Sequence, residues 1–329
     1  MEEGGTRQTG WGDPPAEAPS IDAVRAAADR LRGYIARTLL VPFPGDRGIL
    51  LKPENLQPTG SFKVRGVFNW ALGLAGDERA RGFSTFSAGN TARALALAAR
   101  RFRVNCRSIL PDYAPQNKVA ALREAGVKTE LVAFEEMADW LFRAGWKEEP
   151  WAFLHPWTEP AMIAGHATIG LEVLEDCPDV ETVFLPVGGG ALCAGVGSVL
   201  KALKPGIRVV AVQAESYPAL DSSLRAGRPV WVESKPTVCD GVAVPFVTDG
   251  MFPLLSDVVD EVMVVPENRV LDAMRRLALE SGLVVEGAGA LGLAAALEKP
   301  EQDRGRMVCP VTGGNVEPNA LAALLAAGA

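Results

Sequence analysis

Lys63 stands in the stretch PTGSFKVRG, Pro58 to Gly66, just past a Pro/Gly turn and at the first turn of a predicted helix. The positive end of a helix dipole disfavours an ammonium and lowers its pKa. A lysine that must lose its proton and attack a carbonyl suits that place, and a solvated surface lysine is the other reading. Three glycine-rich loops, each after a predicted strand, supply further chemistry. SAGN, Ser87 to Asn90, runs straight into a helix whose free N–H groups would hold an anion such as a carboxylate. PVGGGALCAG, Pro186 to Gly195, has three consecutive glycines that let backbone wrap a phosphate closely. VTGGN places the hydroxyl of Thr312 at a strand end. Taken singly, SAGN also reads as an ordinary strand-to-helix turn. The glycine run also reads as a dinucleotide loop, with Glu215 as the ribose acid, but Cys193 falls where that pattern needs its third glycine. One phosphate, one carboxylate and a lysine of lowered pKa together describe pyridoxal phosphate bound through a Schiff base, with an amino-acid substrate.

These loops need an alternating βα scaffold to present them. Ser20 is the expected N-cap of a first helix with Ile21, Val24, Ala27, Ala28, Leu31 and Ile35 on one face. GILLKPENLQ is strand-like. FSTFSAGN leads into TARALALAARR, NCRSILP into APQNKVAALREAG, and TELVAF into EEMADWLFRAGW. TVFLPVGGG runs into ALCAGVGSVLKALKPG and the strand RVVAVQAE; EVMVVPE precedes NRVLDAMRRLALESG, and MVCPVTGGN is a last strand and turn. Such alternation predicts parallel-rich twisted sheets covered by helices, an α/β fold of two domains with the ligand in the cleft between them. The expected partition is a disordered tail over 1–19, a large domain over 20–80 and 159–329, and a small domain over 81–158.

Composition excludes several classes. The 329 residues are 48% hydrophobic and 22% charged, and the formal net charge is −7, which argues against a nucleic-acid or anionic-membrane surface. Cys106, Cys177, Cys193, Cys239 and Cys309 lack C-x-x-C spacing, so neither a zinc site nor a disulfide framework is expected, and a reducing, cytoplasmic compartment is. With only His155 and His166, a multi-histidine metal centre is not expected. The acidic, Gly/Pro-rich N-terminus has no apolar h-region, so no signal peptide is expected, and no run of membrane-spanning length occurs.

From about Ser20 to about Ala320 the chain resembles the serine/threonine dehydratase branch, which includes serine racemase, of the tryptophan-synthase-like (fold-type II) pyridoxal phosphate enzymes. KPENLQPTGSFKVRG is similar to the family's Schiff-base segment, which implies Lys63 as the covalent lysine and Phe62 as a residue packing on the cofactor ring. SAGN resembles the asparagine loop: Asn90 would bond the cofactor 3′-oxygen, while Ser87, Ala88 and Gly89 with Asn90 would hold the substrate carboxylate. Gly188, Gly189, Gly190, Ala191 and Leu192 resemble the phosphate cradle, with Ala191 where the family usually has a fourth glycine. TVCDGVAV resembles the segment whose glycine, Gly241, backs the ring; VVEGAGALGLAAAL implies Glu286 facing the cofactor; Thr312 falls where the family places a small polar residue against the pyridine nitrogen. A neutral hydroxyl there makes a shallower electron sink than a carboxylate and favours β-elimination or β-replacement over transamination.

The resemblance implies a lyase that eliminates water from a β-hydroxy amino acid to give a 2-keto acid and ammonia, with Lys63 removing the α-proton, and a homodimer. Thr91 and Arg93 stand where those dehydratases usually carry His and Gln, and His166 and Ala167 where Gln and Gly are common. These changes lie near the substrate's entry and leave room for a bulkier or differently charged β-hydroxy amino acid than serine or threonine. Asn-Thr at 90–91 is similar to threonine synthase, so β- or γ-replacement is the rival reaction, and a non-catalytic binding protein on this fold is the rival class. Ala88 offers no proton to the second face of the substrate, so racemisation should be weak. His155 reads as structural or cleft-lining, and His166 either as structural or as shaping access. Glu215, the carbonyl of Ala219 and Asp221 have the spacing of serine racemase's Mg²⁺/Ca²⁺ site, which implies a structural divalent cation. No C-terminal regulatory domain is expected after VTGGNVEP, which fits a catabolic or specialised role.

Overall fold

The structure, a computed structural model, describes residues 15–300 and 305–327; the expected tail lies outside it as far as residue 14. The first helix, α1 (Ile21–Leu31), starts at Ser20, whose Oγ accepts the N–H of Ala23 at 3.2 Å, and buries Val24, Ala27 and Leu31. It stops before Ile35. Strands β1 (Val41–Phe43) and β2 (Asp46–Lys52) pair antiparallel and lead to α2 (Lys63–Gly73) and the short α3 (Gly76–Ala80). The chain then alternates: β3 (Phe83–Phe86), α4 (Asn90–Phe102), β4 (Cys106–Pro111), α5 (Gln116–Glu124), β5 (Lys128–Val132), α6 (Phe134–Phe142) and β6 (Ala152–Phe153). These four strands form an all-parallel sheet in the order β5-β4-β3-β6.

Helix α7 (Pro160–Asp176) carries the chain back to a second sheet. That sheet is built with β7 (Thr182–Pro186), α8 (Ala191–Leu203), β8 (Arg208–Ala214), α9 (Ala219–Ala226), α10 (Phe252–Val258), β9 (Glu261–Val265), α11 (Glu267–Ser281), α12 (Gly287–Glu298), β10 (Met307–Pro310) and α13 (Pro318–Ala326). Its order is β1-β2-β10-β7-β8-β9, and only β1–β2 is antiparallel. The central strands are buried on both faces, which is why TVFLP and RVVAVQA read as continuous apolar runs. Leu185, Val209 and Ala211 pack with Val196 and Leu200 of α8 on one face; Phe184, Val210 and Val212 pack with Leu291 and Ala295 of α12 on the other.

The start of helix α2 lies between the two halves. Val64, Val67, Phe68 and Ala71 share the apolar core of the four-stranded sheet with Phe83 and Leu95, while Phe62, just before the helix, packs into the core around β7 and α8. All five cysteines are unpaired and buried. Burial pushes the thiols up, to about 12 for Cys106 and Cys193 and about 11 for Cys177. Among the described residues no helix is long and apolar enough to cross a membrane.

Candidate active site

Helix α2 begins at Lys63, so the lysine sits over N–H groups that have no intrahelical acceptor. Among the described residues nothing hydrogen-bonds or ion-pairs with its Nζ; the ring of Phe62 lies 5.0 Å away. Loss of water around the amine drops its pKa to about 8, and the charge of Glu286 opposes that shift only in part. At pH near 8 a substantial neutral fraction of this amine is therefore available as a nucleophile or base.

The lysine is held from behind. Arg65, fully buried two residues on, grips Glu54 through Nε and Nη2, both at 2.7 Å, and Glu172 of α7 through Nη1 at 2.6 Å and Nη2 at 2.9 Å. Lys52 reaches the same Glu172 at 2.5 Å, and the Thr38 hydroxyl donates to Glu54 at 2.6 Å. Burial alone would neutralise Glu54, but Arg65 more than offsets it and holds the carboxyl below its ordinary value. The network ties the first turn of α2 to α7 and to the end of β2.

Around Lys63 opens a cleft of about 310 Å³. Every cofactor- and substrate-site residue named from the sequence lines it: Phe62 and Lys63, the loop Ser87 to Asn90, the run Gly188 to Leu192, and Gly241, Glu286 and Thr312. The loop after β3 is fixed from below, since the Ser87 N–H donates to Ser108 Oγ at 3.1 Å and the Gly89 N–H to Ser87 Oγ at 3.2 Å. The N–H groups of Ala88 and Asn90 at the start of α4 are not used in this way. The loop after β7 enters α8 through Gly190 at φ +95°, a left-handed conformation that a side chain would strain. A Cβ on Gly189 would stand 2.1 Å from the Trp157 ring, so backbone fills that space only because no side chain does. A narrow backbone cradle at the N-terminus of a 13-residue helix suits a phosphate.

Asn90 and Glu286 form a fixed pair. Asn90 Nδ2 donates to Glu286 Oε1 at 2.7 Å, and Asn90 Oδ1 accepts from Asn315 Nδ2, also at 2.7 Å, while Asn315 bonds Thr59 O at 2.9 Å. Burial and the nearby Asp240 push the Glu286 carboxyl up to about 7, against the bond from Asn90. Thr312 Oγ1 donates to Ala288 O at 3.3 Å, a long bond that a stronger acceptor in the cleft would displace. An uncompensated buried amine, a cradle shaped by missing side chains and a wall carboxyl with a perturbed pKa fit pyridoxal phosphate. Asn315, Phe86, Trp157, Lys118, Asp240 and Val244 also line the cleft without having been singled out as site residues; of these Asn315 had a sequence signal, as the residue directly after the glycine pair of VTGGN.

Both histidines lie outside the cleft lining. His155 Nδ1 accepts the Thr158 N–H at 3.2 Å, and burial drops its pKa to about 3. His166, on α7, is fully buried with its ring 4.6 Å from Phe62, and burial together with the charges of Lys63 and Arg65 keeps it neutral.

The expected cation ligands are occupied by protein. Glu215 Oε1 accepts the N–H of Glu267 at 2.9 Å, Ala219 O accepts the Ser223 hydroxyl at 2.6 Å, and Asp221 pairs with Arg225 at 3.1 Å. No group of three or more His, Cys, Asp or Glu side chains that could hold a metal occurs among the described residues.

A two-sheet α/β chain with an unpaired lysine in a cleft between two glycine-containing loops at helix N-termini is what this geometry defines. The chain belongs to the family described as "Pyridoxal-phosphate dependent enzyme", whose pattern matches residues 31–313. It is 42% identical to the L-threonine ammonia-lyase of Thermotoga maritima over 308 residues, 91% of this chain and 76% of that one. It is 33% identical to the catabolic L-threonine dehydratase of Escherichia coli K12 over 309 residues, 91% of this chain and 93% of that one. Among solved structures, the T.th. threonine deaminase superposes with a TM-score of 0.82 at 35% identity, covering 91% of this chain and 99% of that one. Maize serine racemase gives 0.85 at 30% identity, covering 95% and 98%. These relatives put the chain in the serine/threonine dehydratase branch.

Proposed function

We propose that this lyase removes water from a β-hydroxy amino acid and releases a 2-keto acid and ammonia, with Lys63 as the covalent lysine and the base. The supporting observation is the unpaired, dehydrated amine facing both a carboxylate loop and a phosphate cradle. When bound, pyridoxal phosphate supplies an electron sink for the pair left at the substrate α-carbon. The chain's own groups do the rest. The Ala88 and Asn90 N–H groups and the Ser87 hydroxyl hold the substrate carboxylate at the start of α4, which orients the α-hydrogen toward Nζ. Neutral Lys63 takes that proton. Gly188 to Leu192 would hold the phosphate, Asn90 would hold the ring oxygen, Phe62 and Gly241 would pack on the ring, and Thr312 would bond its nitrogen. The expelled hydroxide leaves as water, one water re-enters to hydrolyse the enamine, and the sum is substrate to keto acid plus ammonia.

The test is keto-acid release from threonine by the purified, cofactor-loaded protein, with a visible absorbance that borohydride fixes on Lys63. A Lys63→Ala variant that keeps both the adduct and turnover overturns the assignment. Ala88, lining the second face, supports elimination without racemisation: in deuterated water, residual substrate should keep its configuration, and the opposite enantiomer appearing as fast as keto acid would contradict this. Thr91 also lines the cleft, and a replacement reaction would reveal itself by needing a second nucleophile.

The boundaries 20–80 with 159–329 and 81–158 are supported by the two sheets, although α2, inside the first span, packs into the core of the four-stranded sheet. We retain the cytoplasmic homodimer as part of this reading. A divalent cation at Glu215, Ala219 and Asp221 would have to win its ligands from Glu267 N–H and Arg225. If it does, chelation lowers Tm and rate in the wild type and not in Glu215→Ala; indifference to chelator removes it.

A further inference from the structure

The lining of the cleft divides by chemistry. Among its charged groups Lys118 pairs with Asp240, Glu317 accepts from Asn117 at 2.7 Å, and Arg93 adds a further cation. Phe86, Trp157 and Val244 pack in one apolar cluster, Pro156 and Val242 also line the cleft, and none of these five brings a charge. Phe86 directly precedes the carboxylate loop, and Trp157 lies against Gly189 of the phosphate cradle. An amino acid held by these two loops beside Lys63 would therefore share the cleft with this apolar wall.

The wall is apolar and closely packed. Phe86 and Trp157 meet edge-on, with ring centroids 5.2 Å apart at 85°, and Trp157 meets Phe246 at 5.6 Å and 75°. Phe246 is backed in turn by Trp231 at 4.5 Å. Trp157, Val242 and Val244 keep part of their surface open to the cleft, while Phe86 is nearly buried behind them. Open apolar surface beside a reaction centre stabilises an apolar ligand group, and interlocked rings favour a flat one.

Resting on the elimination reading above, we propose that this wall is a side-chain subsite that selects β-hydroxy amino acids bearing an apolar, planar β-substituent over threonine. The reaction balances as before: 3-phenylserine would give phenylpyruvate and ammonia, with one water lost and one regained. A methyl group touches little of the wall, whereas an aryl ring covers Trp157 and Val244 together.

The experiment compares the cofactor-loaded protein on threonine, 3-phenylserine and 3-hydroxyaspartate, reading ammonia and keto acid. Separately, binding of phenylalanine and 2-aminobutyrate, which cannot eliminate water, is followed by the cofactor's spectral shift. The expected results are a kcat/KM for 3-phenylserine at least about 10-fold above threonine, and phenylalanine binding at least about 10-fold tighter than 2-aminobutyrate, within the range that apolar pockets discriminate. Val244→Ser and Phe86→Ala should each reduce both ratios while the cofactor absorbance stays intact. Threonine turnover equal to or better than 3-phenylserine, with no preference for phenylalanine, overturns the subsite and leaves the lyase reading standing. Preference for 3-hydroxyaspartate also overturns it and points to Arg93, a cation in the lining of the same cleft. No elimination from any substrate, combined with tight phenylalanine binding, upholds the subsite and sinks the lyase reading instead.

Discussion

Lys63 and Glu286 are each displaced toward neutrality by the same dry cleft, and this has a measurable consequence in the cofactor-free protein. The folded chain releases the Lys63 proton near 8 and the unfolded chain near 10.5. Between these values the unfolded state binds more protons, so stability rises with pH. Glu286 acts oppositely: folded, it keeps its proton to about 7, unfolded to about 4.5, so stability falls as pH rises across that interval. Tm of the cofactor-free protein should therefore pass through a minimum between about pH 7 and 8, and Lys63→Met combined with Glu286→Gln should flatten it. A minimum of unchanged depth would mean that other groups set the profile. In the loaded enzyme, Lys63→Ala should lower kcat by roughly 10²–10⁴-fold or more, the usual worth of a positioned acid or base. At this scale the sequence was informative only in combination, because a lysine after TGSF or a glycine after a strand has ordinary uses taken singly, and the fold brings Lys63 and the three loops to one cleft. The apolar wall was not legible, since Phe86, Trp157 and Val244 come from three distant segments and converge only through the fold.

Two helix N-termini and one buried ion network carry the site. Gly190→Ala forces a side chain into a left-handed turn, at a cost of about 1–2 kcal/mol, beside Met251 and Leu255. Its expected effect is a cofactor Kd raised at least about 10-fold with a Tm loss of a few degrees, measured by fluorescence titration and melting; unchanged affinity would remove the loop from the phosphate site. Arg65→Met leaves Glu54 buried without its cationic partner, while Glu172 keeps only Lys52, and this costs about 3–5 kcal/mol. A Tm lower by roughly 5–10 °C should be seen calorimetrically, and a shift within a degree would show the network to be dispensable. The strands and helices with clean periods were readable in advance. The sequence reading left α7 and α12 unassigned because both are apolar nearly all round and hold glycines where neighbouring backbone comes close, as at Gly165 against Arg65 O and Gly289 against Gly313 O. The edge strand β1, only three residues long with Pro42 in the middle, has no alternation to find.

At the scale of the molecule, the two sheets meet near the start of α2, and the cleft is lined by loops from both of them. A ligand that touches both should stabilise the whole chain by mass action, so Tm should climb with pyridoxal phosphate concentration well past stoichiometry. The buried thiols turn this architecture into a clock. A protonated thiol shut away from solvent does not react, so each alkylation event reports that its surroundings have opened. Cys106 lies on β4 of the four-stranded sheet; Cys177, Cys193, Cys239 and Cys309 lie at the end of α7, on α8, beside Gly241 and on β10. Mass-resolved pulse labelling in dilute denaturant would then time each half of the fold separately. One shared rate means that α2 welds the sheets into a single cooperative body, whereas Cys106 running ahead of the other four means that the small sheet breathes alone.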